Sequence, residues 1–311
     1  MDSAFQMALE AGDIAGLRAC PKADRHVHGI GGGSREYLRA RTGRDIAPVD
    51  RVLTSLADMH AWASASFGDM FDGTAGRALA FEATFAQARL DGVTLVEFGE
   101  DAWGITLHGG DAEALWNGLR EAHRRGGPDV GWTPQLEISR HCPVAAIEQW
   151  AAPLLELGVF QALDLSGDEF AQPIEVFQPI YRRAKAAGLR LKAHVGEWGT
   201  ADDVLRAVEL LELDDVQHGV AAAASPAAMK ALATAGVSLN VCPTSNVKLG
   251  RIASLADHPI RRLYDAGVRV TVNTDDPLIF GTSLSEEFLA LFTAGVMTAA
   301  ELDDVRLSAL K

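Results

Sequence analysis

The sequence predicts a single α/β domain over residues 1–311, a (β/α)8 TIM barrel with extra helices inserted after its first strand. Three observations carry that prediction. Eight short segments rich in apolar or β-forming residues alternate with longer helical patterns, which argues for a parallel sheet. No low-complexity tract, Pro-rich linker or charge boundary divides the chain, although 311 residues exceed the usual domain size. Polar residues gather where seven of the segments end, as they do at the carboxyl face of a barrel.

In order, the predicted strands are 23–28, 93–98, 130–138, 159–165, 189–194, 215–218, 237–241 and 268–273. The interval of about 35–90 is too long for one crossover and is expected to hold several helices, a candidate lid over the site. Further helices are expected at 173–187, closed by Gly188, and at 201–213, with Thr200 as N-cap and Asp202 and Asp203 in the first turn. Another is expected at 225–235, where Ser225 caps, Pro226 takes the first helical position and Gly236 ends it.

Composition excludes several classes of function. At 48% hydrophobic residues the chain has ample material for a core. With 42 acidic residues against 28 basic ones and a net charge of −14, a broad nucleic-acid or anionic-membrane surface is excluded. Cys20, Cys142 and Cys242 form neither a CxxC pair nor an even disulfide framework, as in a reducing compartment. The first five residues lack a signal-peptide start, and no apolar run reaches the roughly 18 residues of a membrane span. A soluble, cytoplasmic protein is expected, of an oligomeric state the sequence leaves open.

His26 and His28 are two residues apart, so on a strand both point to one face. Alone, they read equally well as hydrogen-bonded core histidines. With His194 and Asp275 at two other strand ends they favour a metal centre. Three imidazoles and a carboxylate suit zinc, and a water completing that sphere would ionise near about pH 7. A second metal would want a bridging lysine after the fourth strand; Leu165-Ser166-Gly167 stands there, so one metal per chain is expected. Glu197 follows His194 across a glycine, near enough for general acid/base work, with a helix first-turn glutamate as the equal alternative. His218 ends the sixth strand, where it could polarise that water, though a lone histidine is more often structural. Asp276 diverges from Asp275, so one can bind metal while the other faces substrate, although Asp-Asp-Pro by itself is an ordinary turn.

Taken together, these segments resemble the adenosine deaminase family of the amidohydrolase superfamily. The resemblance lies in Lys22-Ala23-Asp24-Arg25-His26-Val27-His28, Asp164-Leu165-Ser166-Gly167-Asp168-Glu169, Ala193-His194-Val195-Gly196-Glu197 and Gln217-His218-Gly219. Val241-Cys242-Pro243-Thr244-Ser245-Asn246 and Asn273-Thr274-Asp275-Asp276-Pro277 follow in the family's order, with Phe280-Gly281-Thr282 just beyond. The resemblance implies one zinc ion on His26, His28, His194 and Asp275. It implies that Glu197 protonates the ring nitrogen beside the amino-bearing carbon, while His218 and Asp276 position and activate hydroxide. The backbone of Gly167 would bond one purine nitrogen and Asp276 another, with His28 also on the substrate side. The H-x-E and P-C-x-x-C pattern of cytidine-deaminase-type enzymes is absent. The expected activity is hydrolytic deamination of an aminopurine nucleoside, adenosine by default, with release of ammonia; the expected partner is that small substrate.

Two departures fall where a sugar would lie. The family's Leu-Asp-Gly-Ser is replaced by Gly29-Ile30-Gly31-Gly32-Gly33-Ser34-Arg35, and its Glu-x-Arg after the second strand by Glu97-Phe98-Gly99-Glu100-Asp101-Ala102-Trp103. The chain also ends at Lys311, before the family's usual C-terminal helices. The glycines read as a flexible hinge, or less readily as an anion cradle with Arg35 as partner. His60, His123 and His258 read as surface or packing residues, whereas His108 and His141 follow strands and could reach the pocket. Trp62, Phe67, Met70 and Phe71 read as an apolar cluster before they read as cover for a flat base. Two rival functions stand beside deamination. One is hydrolysis or deamination of a different nitrogen heterocycle; the other is non-catalytic nucleoside binding, which would not need Glu197, His218 and Asp276.

Overall fold

The structure, a computed structural model, describes residues 2–311. Eight parallel strands form one sheet in sequence order. They are β1 (Lys22–Asp24), β2 (Val93–Asp101), β3 (Gly131–Ser139), β4 (Ala162–Ser166), β5 (Arg190–Val195), β6 (Asp215–His218), β7 (Ser238–Val241) and β8 (Arg269–Val272). Their order and the intervening helices make the (β/α)8 barrel. Between β8 and β1 the ring closes through one bridge, Val27 with Asp275. There the His28 N–H donates to the Asp275 carbonyl and the Asp275 N–H to the His26 carbonyl, each at 2.9 Å. Closure therefore happens at the residues that the sequence singles out as metal ligands.

β1 stops at Asp24 instead of running to His28. Beyond it the Arg25 N–H donates to the Asn273 side-chain oxygen at 2.8 Å, not to a strand carbonyl. The expected helix at 173–187 starts as a 3-10 turn, Ile174–Phe177, and becomes α-helical at Gln178–Ala186. Pro179 has no N–H to continue a helical ladder from the preceding turn, which explains the change of winding. The other expected caps hold: Thr200 and Asp203 form a reciprocal capping box on Ala201–Leu211, and Ser225 caps Pro226–Ala235.

The segment after β1 contains helices Arg35–Thr42, Leu56–Phe67 and Gly73–Leu90. Leu38, Phe67, Phe71, Leu278 and Phe280 make a small apolar cluster of their own, separate from the main core. At the opposite end of the chain, helix Ala4–Ala11 lies against Ala299–Ala309, and Phe5 meets Phe288 edge-on at 5.2 Å. No helix among the described residues is long and apolar enough to cross a membrane.

Inside the barrel the core is polar, and its hydrogen bonds run one way. Asn273 Nδ2 donates to Thr271 Oγ1, Thr271 to Asn240 Oδ1 and Asn240 Nδ2 to Gln217 Oε1, each at 2.8 Å. Gln217 Nε2 then donates to Asp164 Oδ2 at 3.1 Å, joined there by Gln135 Nε2 at 3.2 Å. Each side chain in that run has a partner within it, while Gln135 Oε1 and Asp164 Oδ1 are left without one. The run ends directly beneath His194.

Candidate active site

His26 and His28 just beyond β1, His194 on β5 and Asp275 just after β8 meet at one point. His194 Nε2 lies 3.0 Å from His26 Nε2 and 3.3 Å from His28 Nε2. Asp275 Oδ1 lies 3.5 Å from His26 Nε2 and 3.2 Å from His28 Nε2. Ligands about 2.0–2.1 Å from a tetrahedral zinc are separated by roughly 3.3 Å, so these spacings fit such an ion. The protons of the rings argue the same way. His26 Nδ1 faces the Asn240 carbonyl at 3.3 Å, and His194 Nδ1 faces the Leu165 carbonyl at 3.3 Å and Asp164 Oδ2 at 3.4 Å. Those oxygens only accept, so each Nδ1 carries the proton and each Nε2 presents a bare lone pair. Buried lone pairs and a carboxylate facing one another need a cation between them.

Asp275 sits at φ 61, left-handed backbone that a non-glycine residue rarely adopts, and its Oδ2 accepts from the Ser245 hydroxyl at 2.6 Å. Burial alone would raise its pKa, but the His26 and His28 imidazoles beside it outweigh burial and hold the carboxyl well below the usual range. It is the anionic member of the set. Asp276, next in the chain, is pushed up to about 7 by burial and then by the Asp275 charge.

Glu197 reaches the same space from the turn after β5. Glu169 shapes that turn: its carboxylate accepts from the N–H groups of Gly196, Glu197 and Trp198 at 2.8, 2.9 and 2.7 Å. Burial, then the Asp275 and Glu169 charges, push the Glu197 carboxyl well above its ordinary pKa. Its Oε1 has no hydrogen-bond partner and lies 3.6 Å from His218 Nε2. A protonated carboxyl in that position can donate to a ligand. His218 is also left-handed, at φ 61, and burial first, then His26, keep its imidazole well below its usual pKa. Such backbone at both His218 and Asp275 marks a place where geometry is held at a cost elsewhere in the fold.

These residues open onto a cavity of about 500 Å³, within the usual range for small-molecule sites. His28, Gly167, His194, Glu197, His218, Asp275 and Asp276 line its floor; Leu56, Met59 and Phe67 come from an inserted helix and Phe71 from the turn after it. His60 and His141 line it too, their rings 5.7 Å apart, and both are exposed, so His60 is a surface residue at the cavity's edge. Of the two readings of His258, packing holds, with only 3% of it exposed. Met70 packs in the apolar cluster and Trp62 stands against Phe67.

The loop 29–35 is packed against its neighbours, and two of its N–H groups are already taken. Its glycines serve close approach: a Cβ on Gly29 would strike the Phe81 ring at 2.6 Å, and one on Gly31 would fall 1.6 Å from Asp276 Oδ1. The Gly32 N–H donates to the His28 carbonyl and the Ser34 N–H to the Ala83 carbonyl, so neither is free for an anion. Arg35 turns away to donate to the carbonyls of Pro277 and Leu278. Arg77 is the one Lys or Arg lining the cavity, and it is paired with Glu100 and stacked 4.8 Å over Trp103.

Among known proteins, a family model described as adenosine deaminase matches residues 72–311. A putative adenosine/adenine deaminase of Treponema pallidum is 34% identical over 281 residues, covering 90% of this chain and 94% of the relative. The crystal structure of adenine deaminase from Arthrobacter aurescens superposes with a TM-score of 0.79 at 25% identity, over 93% of this chain and 92% of that one. An amidohydrolase from Burkholderia ambifaria, solved with bound Zn, shares the fold with a TM-score of 0.78 at 24% identity, over 96% of this chain and 87% of its own.

Proposed function

The chain belongs to the adenosine deaminase family, and on that premise we propose that it is a zinc-dependent hydrolytic deaminase of uncharged 6-aminopurines, with adenine first among them. The observation that carries the reading is the convergence of four metal-ligand atoms with a protonated, unpartnered Glu197 carboxyl over one cavity. His26, His28, His194 and Asp275 would hold the ion. Zinc, when bound, supplies Lewis-acid activation of water at neutral pH.

The remaining chemistry falls to side chains and backbone of this chain. Glu197 donates its proton to the ring nitrogen beside the amino-bearing carbon, which makes that carbon electrophilic. The water oxygen adds there, held by His218 and Asp276. Collapse breaks the bond to the amino group; the ring nitrogen keeps the proton from Glu197, one water proton restores the Glu197 carboxyl and the other leaves with ammonia. The Gly167 N–H and the Asp276 carboxyl read the ring's other nitrogens, and His28 borders the same face. The inserted helices lend apolar cover that keeps bulk water off the reacting carbon.

Adenine is placed first because loop 29–35 brings no acid to a sugar hydroxyl and because the Arthrobacter relative is an adenine deaminase. Adenosine is a second reading: the Treponema relative's name covers both, and a 500 Å³ cavity leaves room beyond a bare purine. Phosphorylated substrates fit neither. With Arg77 already paired and Asp72, Asp275 and Asp276 on the walls, a phosphate would be buried without a partner. Adenosine monophosphate should therefore show kcat/KM lower than the better of adenine and adenosine by about a hundredfold or more. Steady-state ammonia release checks this; equal rates would sink the argument about charge.

Gly31 supplies a second check. In Gly31→Ala the new methyl must displace Asp276, so kcat/KM for adenine should fall by roughly ten- to a hundredfold, with bound zinc unchanged. Wild-type kinetics in that variant would mean that Asp276 does not touch the substrate.

A further inference from the structure

We propose that His258 and Asn246 are positioning residues that hold the proton of His218 on Nε2, so that this ring meets the attacking oxygen as a hydrogen-bond donor. The reasoning starts from a group with no choice of role. The Ile260 backbone N–H can only donate, and it lies 3.2 Å from His258 Nδ1. That nitrogen must be bare. Burial pushes the His258 imidazole down to about 4, so the ring is neutral and its single proton is on Nε2.

His258 Nε2 lies 3.3 Å from Asn246 Oδ1 and donates to it. The amide is thereby oriented, and its Nδ2 faces His218 Nδ1 at 3.3 Å. An amide nitrogen only donates, so His218 Nδ1 accepts and the proton of the neutral ring lies on Nε2. Turning the amide over would set its NH2 against His258 Nε2 and require a proton on His258 Nδ1, donor to donor with Ile260. All three side chains are buried, with exposures of 3% for His258, 0% for Asn246 and 1% for His218, so bulk water does not substitute for any link. The far end of the relay, His218 Nε2, is on the cavity side, 3.6 Å from Glu197 Oε1. A ring held this way steadies the oxygen that attacks; it does not take that oxygen's proton.

The catalytic consequence rests on the function proposed above, whereas the position of the proton does not, and the two are separated by measurement. Long-range proton–nitrogen correlation spectra of the full chain, zinc-loaded and labelled with 15N-histidine, report the tautomer, with His218→Gln identifying the signals. The expected pattern for His218 is Nε2–H; an Nδ1–H pattern overturns the proposal. In Asn246→Asp the new carboxylate only accepts, so the proton should move to Nδ1. With it, kcat for adenine should fall at least about tenfold while KM stays within about threefold. An unmoved proton in that variant, or a moved proton with unchanged kcat, overturns it as well. Should Asn246→Asp not fold, His258→Phe frees the amide and should give a mixture of tautomers, and a pure Nε2–H signal there is again contrary. Absence of any purine turnover beside an intact Nε2–H signal would remove the functional reading and leave the relay standing.

Discussion

Glu197→Gln should cost a factor of about 10² to 10⁴ in kcat for adenine while the variant binds zinc as the wild type does. Glutamine keeps the size of the side chain and an N–H that can still bond a ring nitrogen, but it has no proton to give. Three features make the loss large. The carboxyl is buried, its pKa is driven well above the ordinary range by that burial and then by Asp275 and Glu169, and its Oε1 is spared any internal partner. Glu169 fixes the backbone on both sides of it through three N–H groups, so the substitution changes chemistry and leaves the turn in place. The measurement is kcat beside metal content. A variant with wild-type kcat would mean that the proton on the ring nitrogen comes from elsewhere.

His26→Ala should do more. His26 has 1% of its surface exposed, stands 3.0 Å from His194 Nε2, and helps to close the barrel through its carbonyl. Removing it leaves three of four ligand atoms, and turnover should fall to the background of the uncatalysed reaction. Two measurements separate this from simple unfolding. Bound zinc after gel filtration should drop well below one per chain. Added zinc should raise the melting temperature of the metal-free wild type, as a ligand that binds only the folded state does, and leave the melting temperature of the variant unmoved. Full zinc occupancy and full activity in His26→Ala would remove this histidine from the site.

Much of this arrangement is legible along the chain because strands of a parallel barrel are short, apolar and separated by helices with caps. β6 is found at 215–218 and most other strands within a few residues of the expected bounds. β1 is the exception, since the Asn273 side chain takes over its ladder beyond Asp24, and one side chain's reach leaves no trace in periodicity. His26, His28, His194 and Asp275 stand out because polar residues at strand ends are conspicuous against apolar strands. Their supports do not. Asp164 reads as one letter inside a β-strand, and only the fold shows it at the end of a run of hydrogen bonds under His194. Glu169 lies 27 residues before the first N–H it holds. His258 looks like any loop histidine until burial and the Ile260 N–H give it one allowed proton position.

The loop 29–35 shows a different limit. A run of glycines suggests freedom, and the sequence has no means of saying that a neighbour occupies the space instead. Here Phe81 and Asp276 do, so the run is a packed wall whose composition is set by contact. That wall, the paired Arg77 and an Arg35 turned away to backbone carbonyls are what tilt the substrate reading toward uncharged purines.

The most direct test is ammonia release by the zinc-loaded chain from adenine, adenosine and adenosine monophosphate, with Glu197→Gln run alongside. The account predicts release from adenine, with adenosine as the next candidate, about a hundredfold less or lower from the monophosphate, and near-background rates in the variant. No ammonia from any of the three by a folded, zinc-bearing protein would contradict it.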